Sequence, residues 1–114
     1  MSDRDRRYLT YIHESIVLIE VRTRAGYEAF LHNVDIQDAV LWRLESLAEA
    51  TGKLSQALKD RHPDIRWREI YGFRNIVAHA YLALRLDQVW EIVKQHLPLL
   101  KSVIEEELRR ATPP

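Results

Sequence analysis

The sequence predicts an all-α antiparallel bundle of four main helices, with a short fifth helical turn after the first. Three observations carry this reading. Only three glycines and four prolines punctuate 114 residues, and two of the prolines are the last residues, so breakers are too few for anything but long helices. Apolar residues recur three and four apart over most of the chain, the period of a helix with one buried face. No run of strand-like alternation, internal repeat or low-complexity stretch interrupts that pattern.

The first helix is expected from about Arg4 to Arg24, with Tyr8, Ile12, Ile16 and Ile19 on its apolar face and Gly26 ending it. Tyr27–Leu31 supplies the short turn, ending near Asn33. Asp35 is placed to cap the second helix, whose ladder is Ile36, Val40, Leu44, Leu47, Thr51, Leu54 and Leu58, a bundle seam ended by His62-Pro63. The third helix starts near Asp64 and buries Ile70, Phe73, Val77, Ala80 and Leu84. The fourth opens at Asp87 with Leu86, Trp90, Val93, Leu97, Leu100 and Ile104 on one side. Pro98 lies inside that pattern and is expected to kink or restart it. Glu105–Arg109 and Glu106–Arg110, each four apart, fit a solvated tail. Trp42, Trp67 and Trp90 read as core fillers rather than base-stacking platforms.

Residues 1–114 are the size of one domain with one core. Seventeen basic and seventeen acidic residues cancel, so no global field attracts a polyanion, and any such binding needs a local patch. The chain has no cysteine, which removes disulfides, zinc fingers and thiol chemistry and fits a cytoplasmic protein. Its charged start is unlike a signal peptide, and no apolar run exceeds five residues, so no membrane span is expected.

The richest segment chemically is Arg74-Asn75-Ile76-Val77-Ala78-His79-Ala80-Tyr81, which sets a guanidinium, an amide, an imidazole and a phenol into an apolar helix. Each polar head costs about 1–3 kcal/mol if buried without a partner, so each needs a partner or a chemical role. Histidine suits proton transfer near neutral pH, and arginine offers phosphate a planar, permanently charged fork. Together they suffice to cleave a phosphodiester without a metal. Asn75 and His79, four apart, share a helix face; Arg74 and His79, five apart, are separated by about 140° on a regular helix. Either the helix is irregular, the arginine wraps round, or two chains combine across a symmetric interface. Taken singly, Arg74 also fits a salt-bridged surface arginine, His79 a histidine bonded to a carbonyl, and Asn75 an interhelical hydrogen bonder.

The octapeptide resembles the Arg-x4-His-x-Tyr signature of HepT-like toxins of the HEPN superfamily. The flanks agree: Asp38-Ala39-Val40, Glu49-Ala50, His62-Pro63-Asp64-Ile65-Arg66-Trp67-Arg68-Glu69-Ile70 and Val89-Trp90-Glu91-Ile92-Val93. Two positions depart from the family pattern, with alanine in 47–50 and at Ala80 where glycine is common. The resemblance implies an antiparallel four- to five-helix HEPN-type bundle, a homodimer, and a metal-independent endoribonuclease acting as the toxin of a toxin–antitoxin pair. Arg74 and His79 match the catalytic positions, and Asn75 the polar position that orients substrate or imidazole. Tyr81 matches the tyrosine to which a minimal nucleotidyltransferase antitoxin transfers AMP.

Arg66 and Arg68, in a stretch where arginines outnumber acids, are candidates to contact RNA or the antitoxin, although a solvated face explains them as well. No histidine follows a glutamate by three residues and no glycine-rich phosphate loop exists, so neither a di-metal site nor a cofactor is expected. Two other readings remain: a non-catalytic helical module that docks a nucleotidyltransferase, and a structural bundle whose motif makes internal hydrogen bonds.

Overall fold

The computed structural model describes residues 1–83 and 85–111, without the side chains of Tyr81, Ala83 and Ala111. In chain order the helices are α1 (Asp3–Arg22), α2 (Tyr27–Leu31), α3 (Val34–Thr51), α4 (Gln56–Asp60), α5 (Trp67–Tyr71), α6 (Phe73–Ala83), α7 (Leu86–Glu91), a π-helical turn (Ile92–His96) and α8 (Leu97–Ala111). Cross-links between side chains fix the directions. Asp5 accepts from Ser55, Tyr11 donates to Ser46, and Arg43 donates to Ser15, so residue numbers fall on one strand of the pairing as they rise on the other. α1 and α3 are therefore antiparallel. His13 with Glu105 and Glu20 with Lys101 show the same for α1 and α8.

Local chemistry explains most boundaries. Ser2 caps α1 by accepting the Asp5 amide, and Asp3 and Asp5 place negative charge in its first turn. Gly26, at φ 97°, makes the left-handed turn between α1 and α2 that a side chain disfavours. The α3 cap is Asn33, which accepts from the Ile36 amide, and not Asp35, which sits in the first turn. The expected long second helix breaks after Thr51, and Ser55 starts α4 as a new N-cap while bonded to Asp5. The expected third helix likewise divides at Gly72 into α5 and α6.

The core follows the predicted ladders. Ile12, Ile16, Ile19, Val40, Leu44, Leu47, Leu58, Phe73, Val77, Ala80, Leu97, Leu100 and Ile104 are all buried. Leu84 lies outside the described residues. The last helix restarts beside Pro98, as expected: α8 begins at Leu97, and the wider π turn precedes it, with the Leu97 amide reaching back to the Ile92 carbonyl. That shift of frame relieves the clash a proline ring makes in a regular ladder. Trp67 and Trp90 pack against the core as expected, but Trp42 does not: it is 61% exposed. The C-terminal tail is not a solvated face throughout, since Val103 and Ile104 are buried, Glu105 bonds His13, and Glu107 is 1% exposed. Glu107 accepts from Arg61 at 2.6 Å and contacts His62 at 2.6 Å, tying α8 to the segment after α4. Burial pushes its carboxyl up, yet the bonds to Arg61 and His62 outweigh that and hold it below the ordinary glutamate value.

Candidate active site

The break at Gly72 places Arg74 in the first turn of α6, beside α5 and the C-terminal end of α3. Gly52 closes α3, and a Cβ there would collide with the Tyr71 ring. Its hydrogen lets the ring lie against the helix end. Tyr71 then carries Arg74: the guanidinium carbon stands 3.9 Å from the ring centroid, and Nε donates to the Tyr71 carbonyl at 3.3 Å. Arg74 Nη1 donates to Glu49 Oε2 at 2.7 Å. Two of its three nitrogens are thus held, and Nη2 faces no acceptor among the described residues. The pair is half-exposed, so the fork is fixed in place but open to an incoming anion.

Asn75 and His79 lie on the other face. From Phe73 onward α6 is a regular α-helix, so the expected separation of about 140° between Arg74 and His79 is realised. Both Asn75 and His79 are exposed, and no hydrogen bond ties either side chain to another described residue. The structure therefore does not gather Arg74, Asn75 and His79 into one compact cleft within a chain. Ala78 and Leu82 continue the Asn75–His79 stripe, and Leu82 is 85% exposed. With Leu41, Trp42 and Val77 they line an apolar groove of about 440 Å³ between α3 and α6, edged by Asp38 and Glu45. The side chain of Tyr81 lies outside the described residues. Arg66 and Arg68 are exposed on α5 and its approach, Arg66 3.6 Å from Glu69. No three histidine or acidic residues come together as a metal site among the described residues.

The sequence profile described as Ribonuclease HepT-like matches residues 12–107 of this chain. The chain belongs to the HepT-like ribonuclease family. A HepT-like relative from Thermococcus cleftensis, "Probable ribonuclease HepT", is 38% identical over 100 residues, 87% of this chain and 91% of that one. Another from Methanocaldococcus jannaschii, "Putative RNase MJ1380", is 31% identical over 107 residues, 92% of this chain and 98% of the other. No solved structure matches. The matched HepT-like region includes the octapeptide together with Glu49, Gly52 and Tyr71. Neither Gly52 nor Tyr71 stands out in the sequence, because a lone glycine and a lone tyrosine carry no spacing signal. Glu49 is legible there only as a flank of the family pattern, not as the partner of Arg74. No described helix is long and apolar enough to cross a membrane.

Proposed function

We propose that this chain is a metal-independent endoribonuclease, the toxin of a toxin–antitoxin pair, that works as a homodimer. The observation that carries the reading is that one helix bears both the pre-held Arg74 fork and, on its other face, an exposed His79 whose imidazole has no hydrogen-bond partner among the described residues. His79 transfers protons: the 2′-hydroxyl loses its proton, O2′ bonds to phosphorus, the P–O5′ bond breaks and O5′ gains a proton, leaving a cyclic phosphate and a 5′-hydroxyl. Arg74 neutralises charge on the five-coordinate phosphorus through Nη2 and the hydrogens that Glu49 leaves free. Asn75, one helical turn from His79, orients substrate or imidazole.

One chain supplies one histidine here, and Arg74 points away from it. A second copy seated on the Trp42, Ala78 and Leu82 groove buries that apolar face and brings a second Asn75–His79 stripe beside the first. The two proton transfers are then shared between protomers. Tyr81, by its match to the family motif, is the acceptor of AMP from a minimal nucleotidyltransferase antitoxin, with Arg66 and Arg68 as contacts for RNA or that partner. The test is cleavage of RNA in EDTA by protein freed of its partner; unchanged cleavage in His79→Ala overturns the catalytic assignment. Growth arrest on expression alone that depends on Arg74 and His79 supports the toxin reading over a docking module, and an AMP adduct on Tyr81 after co-expression tests the switch.

A further inference from the structure

We propose that the groove between α1 and α3, lined by Arg7, Tyr8, Tyr11, Ser46, Glu49 and Lys53, is a subsite for single-stranded RNA that holds the nucleotide next to the scissile phosphate. The inference rests on the ribonuclease reading and extends it to substrate beyond the reacting bond. The groove has a volume of about 390 Å³, enough for a nucleotide base with its sugar. Its position is the first argument. Glu49 is part of its wall and is the residue that holds Arg74 Nη1 at 2.7 Å, so the groove opens directly beside the phosphate-binding fork.

Its chemistry is the second. Tyr8 and Tyr11 are partly buried, one helical turn apart on α1, and Tyr11 is fixed by donating to Ser46 Oγ at 2.7 Å. Cations surround them: Arg4 stands 6.0 Å from the Tyr8 ring centre, Arg43 5.8 Å from that of Tyr11, and exposed Arg7 and Lys53 flank the groove. The only acid in the lining, Glu49, is neutralised by Arg74. In a chain with no net charge, this grouping is a local positive patch with aromatic faces in it. Rings that accept a base and cations that track the backbone are what single-stranded nucleic acid requires. The Trp42 groove has the opposite lining, apolar with two acids, and suits protein rather than RNA.

The experiment uses the full-length protein and a 2′-O-methyl hexanucleotide, which binds but cannot be cleaved, carrying 5-iodouridine at single positions. Ultraviolet crosslinking followed by peptide mass spectrometry is expected to mark Tyr8 or Tyr11. Tyr8→Ala is expected to weaken binding about tenfold. Arg7→Ala with Lys53→Ala should lower the slope of log affinity against log salt by about 1.4. For cleavable RNA the same changes raise KM and leave kcat within about twofold. Melting curves of each variant confirm the fold, since these side chains are partly or fully exposed. Crosslinks confined to Trp42 and Leu82 or to Arg66 and Arg68, with affinity unmoved by the groove variants, overturn the subsite while the ribonuclease reading stands. Crosslinks at Tyr8 or Tyr11 without any cleavage uphold the groove as an RNA-binding site and overturn both the catalytic reading and the groove's place next to a scissile phosphate. Absence of both binding and cleavage overturns both.

Discussion

Glu49 and Arg74, 25 residues apart in sequence, are joined by a 2.7 Å hydrogen bond that crosses from α3 to α6. The carboxylate and the Tyr71 ring fix the guanidinium on two sides and leave Nη2 without an acceptor among the described residues, the position the proposed function gives to a phosphate. Arg74→Lys keeps the charge but loses the fork, so RNA cleavage is expected to fall about 100-fold or more. The stability change stays within about 1 kcal/mol, because a half-exposed pair contributes little to folding. Cleavage assays alongside chemical denaturation check both; a lysine variant of full activity removes Arg74 from phosphate binding.

His79 gives the sharpest separation between chemistry and structure. Its imidazole is exposed and hydrogen-bonded to no described residue, so His79→Ala has no side-chain hydrogen bond to lose. Cleavage is expected to fall about 100- to 10,000-fold, with stability unchanged within about 0.5 kcal/mol. A clear drop in melting temperature would instead favour the structural reading of the motif.

Gly52 acts on the same site at one remove. Its backbone is right-handed at φ −66°, so alanine brings no conformational strain; the main obstacle is the Tyr71 ring, with the Glu49 carbonyl oxygen a tight second neighbour at 3.3 Å. Gly52→Ala should push that ring aside, with Arg74 following it. We expect about a tenfold loss of cleavage with little loss of stability, since Tyr71 is 37% exposed and can swing into water. Tyr71→Ala should have a similar effect, and the double variant should be no worse than either single one. Multiplicative losses in that cycle would mean the two residues act separately.

The apolar face of α6 makes the proposed dimer testable. Leu82→Glu puts a charge at the centre of the Trp42 groove, where a second copy would have to desolvate it. Sedimentation equilibrium should show monomers, and cleavage should fall as dimers are lost. A dimer that survives Leu82→Glu and Trp42→Ala rules out this face as the interface.

These residues also mark what the sequence made legible. Buried ladders such as Ile12-Ile16-Ile19 and Val40-Leu44-Leu47 are periodic, and periodicity is a local property that survives folding. The octapeptide carries its residue types at fixed spacing, and the 140° separation of Arg74 from His79 follows from helix geometry. What was hidden is non-local. Nothing near Glu49 or Tyr71 announces Arg74, because that contact exists only when α3 and α5 are adjacent. Asn33 and Asp35 are equally good caps by composition, and only the backbone turn chooses between them. By sequence Trp42 reads as a core filler because it sits in an apolar run, but its neighbours Leu41 and Leu44 take the inward face.

Glu107 links stability to pH, and its sign is fixed by the direction of its shift. Its carboxyl titrates lower in the fold than in the unfolded chain, so the folded state prefers it ionised. The resulting stabilisation is complete above the ordinary glutamate range, near pH 4–5. It is lost as pH falls through the lower value of the folded state. Glu107→Gln leaves His62 and the inner end of Arg61 without their carboxylate, at a cost of about 3 kcal/mol near pH 7. The difference from the parent should shrink steadily below pH 4, because the parent then loses the same charge. Urea denaturation at pH 7, 5, 4 and 3 measures it. A gap that stays constant over that range would mean Glu107 contributes through packing and neutral hydrogen bonds rather than through its charge.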